Sequence, residues 1–220
     1  MSRRSIIVLN PKGGCGKSTI ATNIAAYYAL QGKRVALADC DPQKSSSDWL
    51  ALRPESAPAI MAASITAGKI RTPGPTDIIV IDTPAAVHGA RLANFARLSP
   101  TMVIPILPSP MDIRAAEHFI HELYSLRRLI NQKIKLATVA NRVREDTVAA
   151  AKLEYYLDKM RLPGGRKLPF ATVLRNSQNY IKAAERGLSI FEFAFSKTLY
   201  DREQWDPLMR WLSSSRSLPG

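Results

Sequence analysis

The feature that constrains this chain most is a glycine-rich segment, Asn-Pro-Lys-Gly-Gly-Cys-Gly-Lys-Ser-Thr at residues 10–19. The apolar run at residues 5–9 predicts a buried strand before it, and residues 17–30 predict a helix that ends before Gly32. A glycine-rich turn from a strand into a helix brings backbone N–H groups close to phosphate oxygens, at the positive end of the helix dipole. The sequence therefore predicts a phosphate-binding loop.

Short β-branched runs alternate with longer helical patterns along the rest of the chain. Further strands are predicted at residues 34–38, 77–81, 101–107 and 134–140. Further helices are predicted at residues 111–130, 147–160, 178–186 and 197–213. This alternation predicts an α/β fold, a doubly wound and mostly parallel sheet flanked by helices. Residues 51–75 show only weak periodicity, and no linker marks a second domain, so we expect one domain over residues 1–220.

Composition indicates the partners and the compartment to expect. The chain has 31 Lys and Arg against 18 Asp and Glu, and the resulting net charge of +13 favours a polyanionic partner such as nucleic acid. The two cysteines, Cys15 and Cys40, suit a reducing cytosol without a disulfide framework. The apolar runs are too short for a signal peptide or a membrane span, so we expect a cytoplasmic protein.

The spacing of the glycine-rich segment assigns roles to its residues. In a P-loop, backbone N–H groups surround the phosphates, Lys17 reaches the β- and γ-phosphates, and the Ser18 hydroxyl binds Mg²⁺. The candidate nucleotide-binding residues are Gly13, Gly14, Cys15, Gly16, Lys17, Ser18 and Thr19. The standard pattern has a glycine where this chain has Pro11, and this departure is paired with an additional lysine, Lys12.

Residues 12–18, Lys-Gly-Gly-Cys-Gly-Lys-Ser, resemble the deviant Walker A motif of the ParA/MinD group of P-loop ATPases, and the resemblance covers nearly the whole chain. The segment Pro-Ile-Leu-Pro-Ser-Pro-Met-Asp at residues 105–112 resembles small ParA-type (ParF-like) partition ATPases. The resemblance implies a homodimer that binds ATP with Mg²⁺ and hydrolyses it. It also implies that Lys12 crosses the dimer interface to the partner's nucleotide.

Asp39 and Asp41 follow the second predicted strand, in the crevice where open α/β sheets bind ligands. By resemblance they belong to switch I, where Asp41 positions or activates the attacking water and Asp39 assists at the Mg²⁺ shell. Without the resemblance, solvated carboxylates at a strand end would explain the same residues. The candidate catalytic residues are Lys12, Lys17 and Asp41.

Asp82 follows four apolar residues at the end of the third predicted strand, which is the Walker B pattern. It would hold Mg²⁺ through water, as hard cations with phosphate ligands usually require. Together with Ser18 and Asp39 it completes the candidate metal set. Family members often place a γ-phosphate-sensing glycine soon after this aspartate, whereas Ala85 and Ala86 stand here.

Asn141 follows the predicted strand at residues 134–140. The corresponding segment of the family contacts adenine, and an amide can offer the base both a donor and an acceptor. The alternative is that Asn141 is only a turn residue.

The second half of the chain carries candidate DNA contacts. By resemblance, partition ATPases bind DNA without sequence preference through basic residues in this half, and the sequence contains no motif for specific readout. The candidates are Arg142, Arg144, Arg166, Lys167, Arg175, Lys182 and Arg186. The alternative is an ordinary solvated face.

The last predicted helix carries an apolar stripe, and Asp206 before Pro207 favours a helix start there. The stripe consists of Trp205, Leu208, Met209 and Leu212. MinD ends in an amphipathic membrane-binding helix, but such helices are usually rich in Lys and Arg, and this one is not. We therefore expect the stripe to pack in the core.

The leading function is an ATP-dependent dimerising switch that binds non-specific DNA at the nucleoid. It would hydrolyse ATP to segregate or position a plasmid, a chromosome region or a protein assembly, with a ParB-like partner. The alternative is a MinD-like positioning ATPase at a membrane surface. A reductase of the nitrogenase iron-protein type would need cluster-binding cysteines in the dimer interface, whereas Cys15 and Cys40 lie in nucleotide loops.

Overall fold

The computed structural model describes residues 3–130, 133–162 and 164–218. The strands in these residues are β1 Arg4–Val8, β2 Val35–Asp39, β3 Ile60–Thr66, β4 Lys69–Arg71, β5 Ile78–Asp82, β6 Thr101–Ile106, β7 Lys135–Val143 and β8 Phe170–Arg175. The helices are α1 Lys17–Leu30, α2 Ser45–Ala51, α3 Gly89–Leu98, α4 Pro110–Ile130, α5 Val148–Lys159, α6 Gln178–Ala184, α7 Phe195–Glu203 and α8 Asp206–Ser213.

Within these residues the strands form one sheet in the order β4-β3-β2-β5-β1-β6-β7-β8. Every neighbouring pair is parallel except the antiparallel β3–β4 pair at one edge. This arrangement confirms the predicted α/β fold. Because β1, β2 and β5 are adjacent and parallel, the loops after Val8, Asp39 and Asp82 meet at one edge of the sheet, which we call the carboxyl edge.

Helices cover both faces of the sheet and form two apolar cores. On one face, Leu92 of α3, Phe119 of α4 and Leu153 of α5 are buried in a single cluster. On the other face, Ile24 of α1 packs in a cluster with Trp205. The central strands are apolar on both faces for this reason, as expected for a parallel sheet between helical layers. Among the described residues, no helix is both long enough and apolar enough to cross a bilayer.

Residues 51–75, whose weak periodicity predicts no helix or strand, contain the β3–β4 hairpin. Its turn places Ala67 and Gly68 at φ of 50° and 70°, the consecutive positive values of a tight hairpin turn. Along β3 the more exposed and the less exposed positions alternate, because one face of the strand packs inward. Alanine and serine fill much of this strand, so its apolar alternation is faint in the sequence. Strand β8 and helices α2 and α3 were also not predicted.

The single helix predicted at residues 197–213 is wrong, because two helices, α7 and α8, occupy this segment. Pro207 has no N–H to donate to the carbonyl four residues earlier, so a continuous helix would lose a hydrogen bond there. The predicted cap is also wrong: Trp205 holds the cap position, no side chain caps α8, and Asp206 is the first helical residue. The expected core packing is confirmed, since Trp205, Leu208 and Leu212 are fully buried.

Candidate nucleotide-binding site

The loop between β1 and α1 is held in place by Asn10, which is buried. The Nδ2 of Asn10 donates to the Pro105 carbonyl oxygen at 2.5 Å, and its Oδ1 accepts from the Lys12 N–H at 2.9 Å. Gly14 and Gly16 have φ of 73° and 88°, the left-handed region that glycine adopts without steric cost. The loop therefore has the tight backbone wrap that its glycines predicted, directly before the N-terminus of α1.

Asn141 lies within β7, so it is a strand residue and not a turn residue, and it packs directly against this loop. Its Nδ2 donates to the Cys15 carbonyl oxygen at 2.7 Å, and a Cβ atom added to Gly16 would lie 2.3 Å from the same nitrogen. A side chain at Gly16 would therefore displace Asn141. In this structure the amide of Asn141 holds the phosphate-binding loop, and its contact with adenine stays a prediction.

The two lysines of the loop have different surroundings. Lys17 is buried, and its Nζ donates to the Lys12 carbonyl oxygen at 2.9 Å. The side chain of Lys12 is half-buried and makes no hydrogen bond or ion pair within the described part of the chain. Burial raises the pKa of the Cys15 thiol, so this cysteine is an uncharged residue of the loop. Lys17 is thus hydrogen-bonded within its own loop, whereas the side chain of Lys12 is available to a group outside the described residues.

The segment after β2 folds around Asp39. Its Oδ1 accepts from the Asp41 N–H at 3.0 Å, and its Oδ2 accepts from the Ser47 N–H at 2.8 Å. Asp41 is half-buried and uses Oδ1 to accept from the Gln43 N–H at 2.9 Å, while its Oδ2 has no hydrogen bond within the described residues. Asp39 therefore organises the loop, and Asp41 retains an oxygen for a water molecule. The role of Asp39 toward Mg²⁺ stays a prediction.

Asp82 ends β5 and is fully buried. Its Oδ2 accepts a hydrogen bond from the Ser46 hydroxyl of α2, whereas its Oδ1 is also buried and has no partner among the described residues. Burial raises the pKa of Asp82 to about 6, although the hydroxyls of Ser46 and Ser18 lower it. A buried carboxylate oxygen without a partner is costly, so Oδ1 is the atom that a cation or its bound water would satisfy.

These residues fit a magnesium ion held between protein and phosphate oxygens. Mg²⁺ is usually bound by one or two carboxylates plus substrate phosphates, and it keeps several waters. The described residues contain no group of three or more His, Cys, Asp or Glu that could hold a metal ion without such phosphates. Because the pKa of Asp82 is raised to about 6, Mg²⁺ must displace a proton from it at lower pH. Its affinity should therefore fall as the pH drops through 6.

The segment after Asp82 approaches the phosphate-binding loop directly. The Ala86 N–H donates to the Pro11 carbonyl oxygen at 2.8 Å. Ala86 has a φ of 55°, a left-handed conformation that costs an alanine about 1 kcal/mol or more. Alanine therefore occupies a backbone position that favours glycine, close to where the family often has its γ-phosphate-sensing glycine. The missing glycine is visible in the sequence, whereas this backbone contact between two separate loops is not.

Sequence reasoning also missed Ser46, because nothing in the run of serines at residues 45–47 marks which one is buried. We expect Ser46→Ala to lower the Mg²⁺ affinity of the nucleotide-bound protein roughly tenfold, since residues that orient a metal ligand typically contribute that much. The measurement is the Mg²⁺ concentration at half-maximal thermal stabilisation in the presence of ADP. Ser47→Ala is the matched control, because only the backbone N–H of Ser47 contacts Asp39. An unchanged midpoint for Ser46→Ala would show that Ser46 does not orient Asp82.

The structure does not bring the seven candidate DNA contacts together. Arg142 and Arg144 lie at the end of β7 on the carboxyl edge, and Lys182 lies on α6, which starts just after β8 reaches the same edge. All three are exposed. Arg166 and Lys167 precede β8 and therefore lie toward the opposite edge of the sheet, where Lys167 forms an ion pair with Asp158.

Arg175 is engaged within the protein. Its Nε donates to Asp201 Oδ1 at 2.6 Å, and the Asp201 side chain is fully buried. Its guanidinium also lies 4.9 Å from the centroid of the Tyr200 ring. Removal of Arg175 would leave a buried carboxylate without its cation, so Arg175 has a structural role whether or not it touches DNA. Arg186 is exposed, and its guanidinium lies 5.1 Å from the centroid of the Phe193 ring.

Comparison with known proteins places the chain among nucleotide-binding proteins. Residues 6–190 match the family described as the CobQ/CobB/MinD/ParA nucleotide binding domain. The chain is 31% identical over 195 residues to the maintenance of carboxysome distribution protein A from Gloeobacter kilaueensis. The aligned region covers 86% of this chain and 85% of that protein.

Solved structures share the fold. A plasmid partition protein from Borrelia burgdorferi B31 bound to AMPPNP has a TM-score of 0.71 and 14% identity, covering 95% of this chain and 99% of that one. The septum site-determining protein MinD from Pyrococcus horikoshii, complexed with Mg-ADP, has a TM-score of 0.72 and 13% identity, covering 97% of each chain. The first of these proteins thus binds a nucleotide analogue in this fold, and the second binds a nucleotide with magnesium.

Proposed function

Because the chain belongs to the CobQ/CobB/MinD/ParA nucleotide-binding domain family, we propose that it is an ATP-dependent positioning ATPase. ATP binding joins two copies face to face, and the dimer binds DNA without sequence preference at the nucleoid. Hydrolysis, stimulated by a ParB-like or cargo-adaptor partner, then releases the DNA. The cargo is a plasmid, a chromosome region or a protein assembly, and residues 1–220 act as one domain.

The general features of this function follow from membership of the family. Its members are P-loop nucleotide hydrolases, generally ATPases, that dimerise and act with partner proteins. The dimer that we propose for this chain is supported chiefly by Lys12. Its side chain lies in the phosphate-binding loop without a partner in the described residues, whereas Lys17 already occupies the intramolecular position. A cation from a second copy would stabilise triphosphate charge only when both copies are present.

The bound ATP would be held by this chain in a defined way. The N–H groups of the loop from Gly13 to Gly16 and the Lys17 ammonium would bind its phosphates. The Ser18 hydroxyl and Asp82 Oδ1 would hold Mg²⁺, which neutralises phosphate charge when bound. Asp41 would accept a proton from the attacking water, since its Oδ2 is not used elsewhere in the described residues.

DNA binding is supported by the net charge of +13 and by the exposed cations at the carboxyl edge. We expect the ATP-loaded protein to bind arbitrary duplex DNA with an affinity that falls steeply with salt, because each phosphate contact releases counterions. The double variant Arg144→Ala/Lys182→Ala should lower the salt slope by about two, roughly one per contact. Fluorescence anisotropy with a labelled random duplex at several salt concentrations makes this measurement.

Arg166→Ala is the control, because Arg166 is also exposed but lies toward the opposite edge of the sheet. It should leave the salt slope unchanged. If the ATP-loaded wild-type protein shows no salt-sensitive DNA binding, this part of the proposed function is wrong. If only Arg166→Ala weakens binding, the DNA surface lies on the other edge.

The membrane-surface alternative has less support. In that alternative the apolar stripe of α8 would insert into the lipid interface. The stripe instead packs in the protein core, with Trp205, Leu208 and Leu212 fully buried. A liposome pelleting assay with ATP tests the alternative, and binding to anionic vesicles but not to DNA would favour it.

A further inference from the structure

A groove made of two adjoining cavities runs between α4 and α5. Two cavities of about 550 and 480 Å³ lie between these helices, and they share Glu117 and Tyr156. We call their combined space the α4–α5 groove. It extends along α4 from Pro110 to His121, about 16 Å at the helical rise per residue. A helix of about three turns would match this length.

The groove presents apolar side chains to solvent. Ile113 lies at its base, and Val148 and Tyr156 on α5 are 72% and 48% exposed. Tyr155, whose ring centroid lies 6.3 Å from that of Tyr156, is 64% exposed. Single exposed apolar residues are common, but several around one concave surface mark an interaction site.

The charged residues around this apolar base are mostly cationic. The cations are Arg114, Lys152, Lys159 and Arg161, and the carboxylate among the lining residues is Glu117. Within the described residues, none of these four cations has a carboxylate within ion-pair distance. The groove therefore combines apolar pockets with unneutralised positive charge.

We propose that the α4–α5 groove docks a short acidic, amphipathic segment of a partner protein, with apolar side chains in the groove and carboxylates on its cations. This is the helix-in-groove mode of recognition, in which apolar residues three or four positions apart anchor the segment. The charge argues for an acidic occupant rather than a neutral one, since complementary charge sets specificity and association rate. Duplex DNA has phosphates for the cations but no side chains for the apolar base.

The position of the groove links docking to the phosphate-binding loop. One end is formed by Pro108 and Pro110, just after β6 reaches the carboxyl edge. The same strand carries Pro105, whose carbonyl oxygen holds Asn10 of the phosphate-binding loop at 2.5 Å. A segment seated in the groove would therefore touch the residues that directly follow the strand supporting the loop. Only this regulatory consequence rests on the proposed function, because docking itself does not require ATP hydrolysis.

The experiment is selection of peptides from a phage-displayed library of random 16-residue sequences on the full-length protein with ADP and Mg²⁺. We expect the enriched peptides to be net acidic, with apolar residues three or four positions apart. Their affinity, measured by fluorescence anisotropy, should fall at least tenfold in Lys152→Glu and in Tyr156→Ala. Lys69→Glu, with the same charge change at an exposed position of β4 on the other side of the sheet, should leave it unchanged.

Enriched peptides that are basic or neutral, or acidic peptides that bind Lys152→Glu as well as wild type, would overturn the proposal. So would nucleotide-independent self-association that Val148→Asp abolishes, because the occupant would then be a second copy. Binding of the wild type to anionic vesicles that Val148→Asp abolishes would identify a membrane instead. Peptide binding in a protein that fails to bind DNA would leave this inference intact and count against the proposed function alone.

Discussion

Lys12→Ala is expected to abolish the ATP-dependent dimer while leaving nucleotide binding to the monomer nearly intact. The backbone of Lys12, and not its side chain, makes the hydrogen bonds that hold the loop. Its N–H donates to Asn10, and its carbonyl oxygen accepts from Lys17. Alanine preserves both hydrogen bonds. The side chain has no partner within the described residues, so its removal should cost little in the isolated protomer.

The expected size of the effect follows from symmetry. A hydrogen bond to a charged group contributes about 1.5–3 kcal/mol, and two equivalent lysines would reach across the dimer. The dimer dissociation constant should therefore rise by roughly 10² to 10⁴, at about 1.4 kcal/mol per factor of ten. Sedimentation velocity with a non-hydrolysable ATP analogue measures it, and Lys33→Ala serves as an exposed control. A wild-type dimer in Lys12→Ala would refute the role across the interface.

Asp41→Ala is expected to lower the rate of ATP hydrolysis by roughly 10² to 10⁴, the usual contribution of a positioned general base. Asp41 lies at the carboxyl edge with one carboxylate oxygen unused in the described residues. The substitution leaves the contacts of Asp39 with backbone N–H groups in place. ATP binding and dimerisation should therefore persist, and the dimer should accumulate because it cannot convert its nucleotide.

Single-turnover hydrolysis and sedimentation of the same sample make this measurement. Asp48→Ala removes an exposed carboxylate from the following helix and is the control for charge alone. A wild-type hydrolysis rate in Asp41→Ala would exclude Asp41 as the base. Loss of the dimer together with hydrolysis would show instead that Asp41 supports the closed conformation.

Much of the fold and of the phosphate-binding loop could be predicted from the sequence, because those signals are local. Glycine, lysine and serine at fixed spacing between a strand and a helix specify the loop within residues 10–19. The central strands are nearly continuous apolar runs, so their positions were predicted to within a few residues. The β3–β4 hairpin was missed because its packed face is small. The break between α7 and α8 was also missed, although Pro207 is a local signal for it.

The contacts that shape the site could not be predicted, because they join residues far apart in the chain. Ser46 meets Asp82 across 36 positions, and Asn141 meets Cys15 across 126. No spacing rule connects such pairs. The positions of the basic residues could not be predicted either. Arg144 and Arg166 look equivalent in the sequence. Because Arg144 follows β7 and Arg166 precedes the parallel strand β8, they lie toward opposite edges of the sheet.

The most direct test of the account mixes two inactive variants. Lys12→Ala keeps its own Lys17 but lacks the lysine offered to its partner, whereas Lys17→Ala lacks its phosphate ligand but still offers Lys12. A mixed dimer contains one complete site, so the equimolar mixture should hydrolyse ATP clearly faster than the sum of the two variants alone. A mixture that is no faster than that sum would mean that Lys12 acts within its own subunit, and would contradict the account.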